Sequence, residues 1–432
     1  MDLSGKKLAI LGGTRINIQF VQAARELGVH TCVIDYYEPE SGKSPAKLCA
    51  DESALISVAD VKEVASFLRQ NGFDGVTTGY TDSILGWYAD ICEEAGLPCY
   101  GNRKQFEVFT DKHLWKDLCR EFKIPTAFEY GQELLDLPEE EIDFPIFVKP
   151  SDASGARGAT VAHNKSELIA SFKLAQSFQR NGEVLFEKYL DGPEVTVFWL
   201  FIDGKYYVNM LGNRHVKHNQ KGVIPLPAGY TFPASVIPRY LDEVKPRCDE
   251  AFASLGVRNG MMFMQCIVQD GLPYVYDIGF RTTGSLEHHI QKAAFGYSTT
   301  DMLISHALTG HMTDDPAISE KVDLGLYHPC YNISWLIRPG TVDHFVGLEN
   351  LSEDPSFISC HKAHVEGETL PVEALGQLRQ ICLRGLGATD TVDGMGETIL
   401  KLQAAVDIID PDGESLKLSG MEPSDFAGTI LE

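Results

Sequence analysis

The feature that most constrains this chain is the alternation of strand-like and helix-like segments over its first hundred residues. Residues 7–11 form a short apolar run that reads as a buried strand, Gly12-Gly13 as a turn, residues 16–27 as a helix and residues 30–35 as a second strand. The pattern continues with a helix at 61–71, a strand at 75–78, a helix at 83–95 and a short segment at 98–100. Strands joined by helices pair in parallel and bury both faces, so the expected fold is α/β, opening with a Rossmann-like parallel-sheet domain over residues 1–107. Gly12-Gly13 is followed by Thr14-Arg15-Ile16 and lacks the three spaced glycines of a dinucleotide site. A small anionic group is the most that turn would hold.

After Gly101 the pattern changes. A helical stretch at 109–122 and an acidic connector at 134–143 lead into strand-period segments at 146–148, 159–162, 184–186, 196–201 and 205–211, with one helix at 166–178. A helix at 235–255, strands at 260–268 and 274–278 about the turn Gln269-Asp270-Gly271, and a helix at 300–309 complete a second domain, 108–312, built on an antiparallel sheet. The remainder, 313–432, mixes short strands with a helix near 394–406 and reads as a C-terminal α+β capping domain, without repeats or low-complexity stretches. Three domains suit 432 residues at roughly 150 each.

Charge narrows the partners. With 61 acidic and 37 basic residues the formal charge is −24, which repels a polyanion, so nucleic acid is excluded as a partner. The apolar run at 8–11 is too short for a signal sequence or a membrane span, and the ten cysteines are scattered without a C-x-x-C pair. The expectation is a cytoplasmic protein with reduced thiols, no membrane partner and no zinc site, and a homodimer is the assembly left open.

Three segments carry chemistry. Phe144 to Pro150 ends a buried strand with Lys149, and the small-residue loop Ser151-Asp152-Ala153-Ser154-Gly155-Ala156-Arg157-Gly158 follows at once. Such a loop lets backbone N–H groups approach phosphate oxygens while the lysine supplies a fixed charge; by itself it is most often just a turn. About thirty residues on, a strand ends in Glu187-Lys188-Tyr189-Leu190, and Glu194 begins the next. A backbone link of this kind can pair with an adenine edge, and a carboxylate can accept ribose hydroxyls. Finally, Gln265 and Asp277 stand on neighbouring strands with Arg281 just beyond, and oxygen ligands at a strand end suit Mg²⁺.

Taken in order, Asp111-Lys112, Val148-Lys149-Pro150, Glu187-Lys188-Tyr189-Leu190, Gly192-x-Glu194 and Asp277-x-x-x-Arg281 resemble the ATP-grasp superfamily across roughly residues 6–311. The resemblance implies that Lys112 and Lys149 contact ATP phosphates and that Ser154, Gly155 and Gly158 belong to a loop closing over them. It also implies that Glu187 with the backbone of Lys188, Tyr189 and Leu190 holds adenine, that Glu194 holds ribose, that Asp277 carries Mg²⁺ and that Arg281 steadies the transferring phosphoryl group. The implied activity is carboxylate–amine ligation: a small-molecule carboxylate attacks the γ-phosphate and an amine then attacks the acyl-phosphate.

Two positions depart from the family pattern, with Gln265 where a glutamate is usual and Gly279 where an asparagine is common. Gln265 still offers a carbonyl oxygen, and Gly279 resembles the amino-acid-ligase and carbamoyl-phosphate-synthase-like branch, which implies an amino-acid or peptide-like product. A weak or silent ATP-binding relative and a purine-pathway ligase or carboxylase stay open. Arg214 and Lys221, in the basic segment 213–222 expected as a loop, are further catalytic candidates. His288 and His289 are adjacent, so on a helix they point about 100° apart and do not share an ion. Glu287 lies where the biotin-carboxylase branch resembles a bicarbonate-activating carboxylate, but Thr282-Thr283-Gly284-Ser285 does not match that branch.

Overall fold

The computed structural model describes residues 1–151, 158–179, 183–217, 225–428 and 430. Strands β1 (Lys7–Leu11), β2 (His30–Asp35), β3 (Glu52–Leu55) and β4 (Gly75–Thr78) form a parallel sheet in the order β3-β2-β1-β4. Helices α1 (Ile18–Glu26), α2 (Val61–Gln70) and α3 (Leu85–Ala95) connect and flank it. α1 and α3 start two residues later than the sequence suggests, each after a single 3₁₀ turn. β3 is an addition, because only Ala54 of its four residues is buried and no apolar run announces it. The Gly12-Gly13 turn is filled by the chain's own atoms: the Gly13 amide donates to Asp35 Oδ2 at 2.7 Å, and a Cβ on Gly13 would lie 1.6 Å from Ser44 Oγ.

The single helix expected at 109–122 is two, α4 (Arg103–Thr110) and α5 (Lys112–Glu121). Asp111 breaks them. Its backbone is extended and its carboxylate accepts from the amides of His113 at 2.8 Å and Leu114 at 3.1 Å, so the residue serves as a cap and not as helix interior. A small lobe follows: β5 (Glu129–Tyr130), β6 (Ile146–Pro150), β7 (Thr160–Ala162), α6 (Lys165–Phe178) and β8 (Val184–Lys188). Its strands are antiparallel in the order β5-β8-β6-β7, and it has its own core of Ile146, Val148, Ala162, Leu168 and Phe186.

Strands β9 (Glu194–Ile202), β10 (Lys205–Lys217) and β11 (Leu226–Phe232) come next, then α7 (Ile237–Arg239) and α8 (Lys245–Ser254), joined by a π turn where one long helix was expected. After them come β12 (Gly260–Gln269), β13 (Leu272–Gly279), α9 (His288–Ile290) and α10 (Thr299–Thr309). Residues 313–432 hold α11 (Ile318–Tyr327), β14 (Cys330–Leu336), β15 (Gly340–Thr341), β16 (His344–Val346), β17 (Phe357–Lys362), β18 (Thr369–Leu370), β19 (Ile381–Ala388), α12 (Met395–Ala405) and β20 (Asp407–Ile409).

One eight-stranded sheet, in the order β13-β12-β9-β10-β11-β14-β19-β17, runs through both regions, so the sheet crosses residue 312 without a break in pairing. The basic segment expected as a loop is strand as far as Lys217, and its remainder lies outside the described residues. One apolar core joins the N-terminal sheet to β9 and β12 through Leu8, Ile10, Val33, Val197, Trp199 and Met262. A second lies under β14 and β19, with Tyr331, Trp335, Leu383 and Ile399. Among the described residues no helix is long and apolar enough to cross a membrane.

Candidate functional site

The site begins at the pairing of β6 with β8, which sets Phe147 opposite Glu187 and Lys149 opposite Leu185. Lys149 Nζ lies 2.8 Å from Glu187 Oε1, and Lys116 of α5 reaches the same oxygen and also Glu129 at 3.3 Å. Lys116, Lys149 and Glu187 are all buried. Burial pushes the Glu187 carboxyl up, but the two ammonium groups outweigh it and hold it below its ordinary value. Burial pulls the Lys116 ammonium down, with Lys149 adding to the fall and Glu187 and Glu129 acting against it. The sequence reading aimed the Glu187 side chain at adenine; its carboxylate is occupied by two lysines, and what it does in this structure is fix Lys149. Lys116 was missed, because only α5 packing across the small lobe brings it there.

Lys112, at the first position of α5, directs Nζ to Pro150 O at 3.3 Å. Lys188 is exposed, with Nζ 3.0 Å from Asp143; the amides of Lys188 and Tyr189 donate to Phe128 O and Pro145 O, and the Leu190 side chain is buried. Gly158 has φ +75° and lies against Phe178 of α6. Ser154, Gly155 and Lys221, all expected in the site, lie outside the described residues.

At the far side, Gln265 and Asp277 are direct cross-strand partners on β12 and β13. Burial raises the Asp277 carboxyl; Lys112, Lys149 and Arg281 act against that rise and Asp82 adds to it, so all four charges lie within electrostatic reach of Asp277. Arg281 is held by Asp82 through two bonds of 2.7 Å, Nε to Oδ1 and Nη2 to Oδ2, and stacks 5.1 Å from the Phe263 ring centroid. Asp82 comes from the 3₁₀ turn between β4 and α3, about two hundred residues upstream, and no motif marks it. The same Phe263 explains Gly279: a Cβ there would meet its ring at 2.4 Å, so the asparagine usual at that position does not fit beside this phenylalanine. Among the described residues no group of three or more His, Cys, Asp or Glu side chains is placed to hold a metal, leaving Asp277 and Gln265 as the oxygen pair.

A second polar cluster lies beside the first. Arg214 stands opposite Glu194 in the β10–β9 pairing and bonds its carboxylate, which also accepts from Tyr276 OH at 2.7 Å. Arg384 of β19 donates to Ser334 Oγ at 3.0 Å and faces Tyr230, Glu287 and Arg214; burial works against its charge. Glu287 is buried, with Oε2 accepting from Ser285 Oγ at 2.8 Å and Oε1 without a partner among the described residues. Burial pushes its carboxyl up to about 7. The Tyr80 hydroxyl, near Glu287, is likewise buried and unpartnered among the described residues. Arg384 lies about a hundred residues past the last motif, and no local signal could have found it. His288 and His289 have ring centroids 4.2 Å apart; His289 stacks on His361 at 4.1 Å and bonds Gln19 at 2.6 Å, tying α1 to β17.

Residues 111–232 match the family model of the carbamoyl-phosphate synthase L chain, ATP binding domain. The chain is 28% identical over 237 residues to the 2-oxoglutarate carboxylase small subunit of Hydrogenobacter thermophilus, covering 50% of each chain. It thus spans about half the length, or less, of the curated relatives it matches. Among solved structures, the L-amino acid ligase from Bacillus licheniformis superposes with a TM-score of 0.75 at 20% identity, over 94% of this chain and 99% of that one. The biotin carboxylase domain of the Hydrogenobacter thermophilus 2-oxoglutarate carboxylase, solved with MgADP and bicarbonate, gives 0.73 at 16% identity, over 95% and 91%. At such identities the likeness speaks for the fold.

Proposed function

We propose that this chain, an ATP-grasp protein, activates a carboxylate with ATP and passes the acyl group to an amine. The observation that carries the reading is the convergence of Lys112, Lys149 and Arg281 on Asp277, with Gln265 directly opposite. In this reading Lys112 and Lys149 hold the phosphates, and Gly158, together with Ser154 and Gly155 outside the described residues, is assigned to the same phosphates. The backbone of Lys188, Tyr189 and Leu190 faces the base, and Glu194 the ribose. Asp277 and Gln265 fit a magnesium ion that arrives with nucleotide, since Mg²⁺ usually rests on one or two carboxylates plus phosphates and waters. When bound it would neutralise phosphate charge during transfer.

A carboxylate oxygen attacks the γ-phosphorus, the bond to the β-phosphate oxygen breaks, and ADP leaves. Arg281, fixed by Asp82, stabilises the charge of the moving phosphoryl group. The amine nitrogen then attacks the acyl carbon, inorganic phosphate departs, and the nitrogen gives its proton to Glu287. A carboxyl pushed up to about 7 with one free oxygen suits that task, because it is both ionised and basic near neutral pH. Arg384, beside Glu287, and Arg214 receive the anionic end of an amino-acid substrate, and Lys221, outside the described residues, is a further cationic candidate for that role. Residues 1–107 contribute Asp82, 108–312 the nucleotide site and 313–432 Arg384. The likeness to an L-amino acid ligase supports an amino-acid or peptide-like product. The proposed setting is the cytoplasm, consistent with ten free thiols, and the proposed assembly a homodimer, as in the carboxylase domain dimer.

The test incubates the protein with Mg-ATP and pooled amino acids and small carboxylates, and identifies the nucleotide released. ADP and phosphate that depend on the pool are expected. AMP with pyrophosphate would overturn the mechanism, activity only with purine-pathway intermediates would replace the amino-acid reading, and ATP binding without turnover in either pool would make this a silent relative.

A further inference from the structure

Outside the catalytic space, a cavity of about 410 Å³ opens along the C-terminal half of α5. Its walls are Lys116, Arg120 and Lys123 on one side and Arg247 of α8 with Leu272 and Tyr274 of β13 on the other, and the 124–129 linker crosses it. Hydrogen bonds hold these walls in place. Thr126 Oγ1 donates to Val275 O and the Val275 amide to Pro125 O, each at 2.8 Å, which fastens the linker to the edge of the sheet. Arg247 Nη1 donates to Lys123 O at 2.7 Å, which ties α8 to the end of α5.

Charge and shape define an occupant. In a chain of net charge −24, four cations line one concave space in which, among the described residues, Glu129 is the one carboxylate of the wall, with Asp117 bonded to Arg120 at 2.7 Å. A cleft lined by one sign of charge concentrates ligands of the other. Ile124, Leu272 and Tyr274 supply apolar wall, and the volume falls in the usual range for small-molecule sites. The deep end is Lys116, the residue that bonds Glu187, whose carboxylate fixes Lys149. An anion in the cavity competes with Glu187 for Lys116 and so changes the grip on Lys149.

We propose that this cavity is an effector site for a small organic anion with an aromatic body, sensed at Lys149 through Lys116 and Glu187. The coupling rests on the nucleotide site proposed above; the binding does not. The experiment titrates the full chain calorimetrically with phenyl phosphate, with and without Mg-ATP. Saturable binding is expected, with an affinity that Mg-ATP shifts about fivefold or more, in keeping with ordinary coupling between sites. Arg120→Glu and Lys123→Glu, both at exposed positions, should each weaken phenyl phosphate about tenfold and leave ATP turnover and melting temperature unchanged. Lys116→Met should keep the binding and lose the shift. Overturning results are no saturable binding below about 1 mM, binding that survives both charge reversals, or complete displacement by ATP, which would put the probe in the nucleotide site. Linked binding in a protein that turns over no substrate would uphold the effector site and refute the ligase reading.

Discussion

Replacing Glu287 with glutamine should slow the amine step and at the same time stabilise the protein at alkaline pH. The carboxyl is pushed by burial from 4.5 to about 7. Below about pH 4.5 it is protonated in both folded and unfolded chains and contributes no difference. As pH rises from there to 7 the unfolded chain ionises while the folded one keeps its proton, so stability falls. Above 7 the folded state carries the whole burden of a buried charge, about 3 kcal/mol at roughly 1.4 kcal/mol per tenfold change in the proton equilibrium. Glutamine can still accept from Ser285 and carries no charge, so Glu287→Gln should melt several degrees higher than the native chain near pH 8 and at the same temperature near pH 4. Its amine-dependent turnover should fall about 10²- to 10⁴-fold and lose the inflection near pH 7, with activity rising toward alkaline pH, expected of the native chain. First-turnover ADP formation should persist, because phosphoryl transfer does not use Glu287. A variant that melts lower near pH 8, or that keeps the native pH profile, would refute the assignment of a buried, functional base.

Three further changes probe the nucleotide side. Lys149→Ala should abolish ATP turnover yet lower the melting temperature by only a few degrees, because Glu187 retains Lys116; unchanged turnover would remove this lysine from the site. Gln265→Glu adds a carboxylate opposite Asp277 and should lower the magnesium concentration needed for half-maximal turnover, and an unchanged magnesium titration would count against that position as a ligand. Asp82→Asn removes the counter-charge that holds Arg281 and should lower kcat about tenfold or more while ATP affinity, read by calorimetry, stays within about twofold. Equal kcat would show that Arg281 needs no such support.

Strands β1, β2 and β4 of the N-terminal sheet and the hairpin β12–β13 were legible because each is a local apolar run bounded by turns, as in residues 30–35 and 75–78, whereas β3 was not. Asp111 was legible as part of a motif but not as a helix boundary, since periodicity continues through it and only its cap bonds break the helix. The basic segment was misread from Asn213 to Lys217 because its polar residues hide a strand that pairs with β11, itself unsuspected.

By itself the sequence determined the identity and order of the groups that bear charge: Lys112, Lys149, Glu187, Glu194, Asp277 and Arg281 each sit in a short motif whose spacing along the chain carries the signal. Which of these charges neutralise one another was decided by tertiary structure. Lys116 and Glu187, Asp82 and Arg281, and Arg384 beside Glu287 are pairs of distant origin, brought together when α5 packs on the small lobe, the 3₁₀ turn after β4 meets the segment following β13 and β19 extends the large sheet. The physical reason is that a buried charge is tolerable only beside a partner, and burial is a property of the folded whole. A carboxylate that looked free to greet adenine is therefore held by two lysines, and a glutamate without a matching motif became the candidate base.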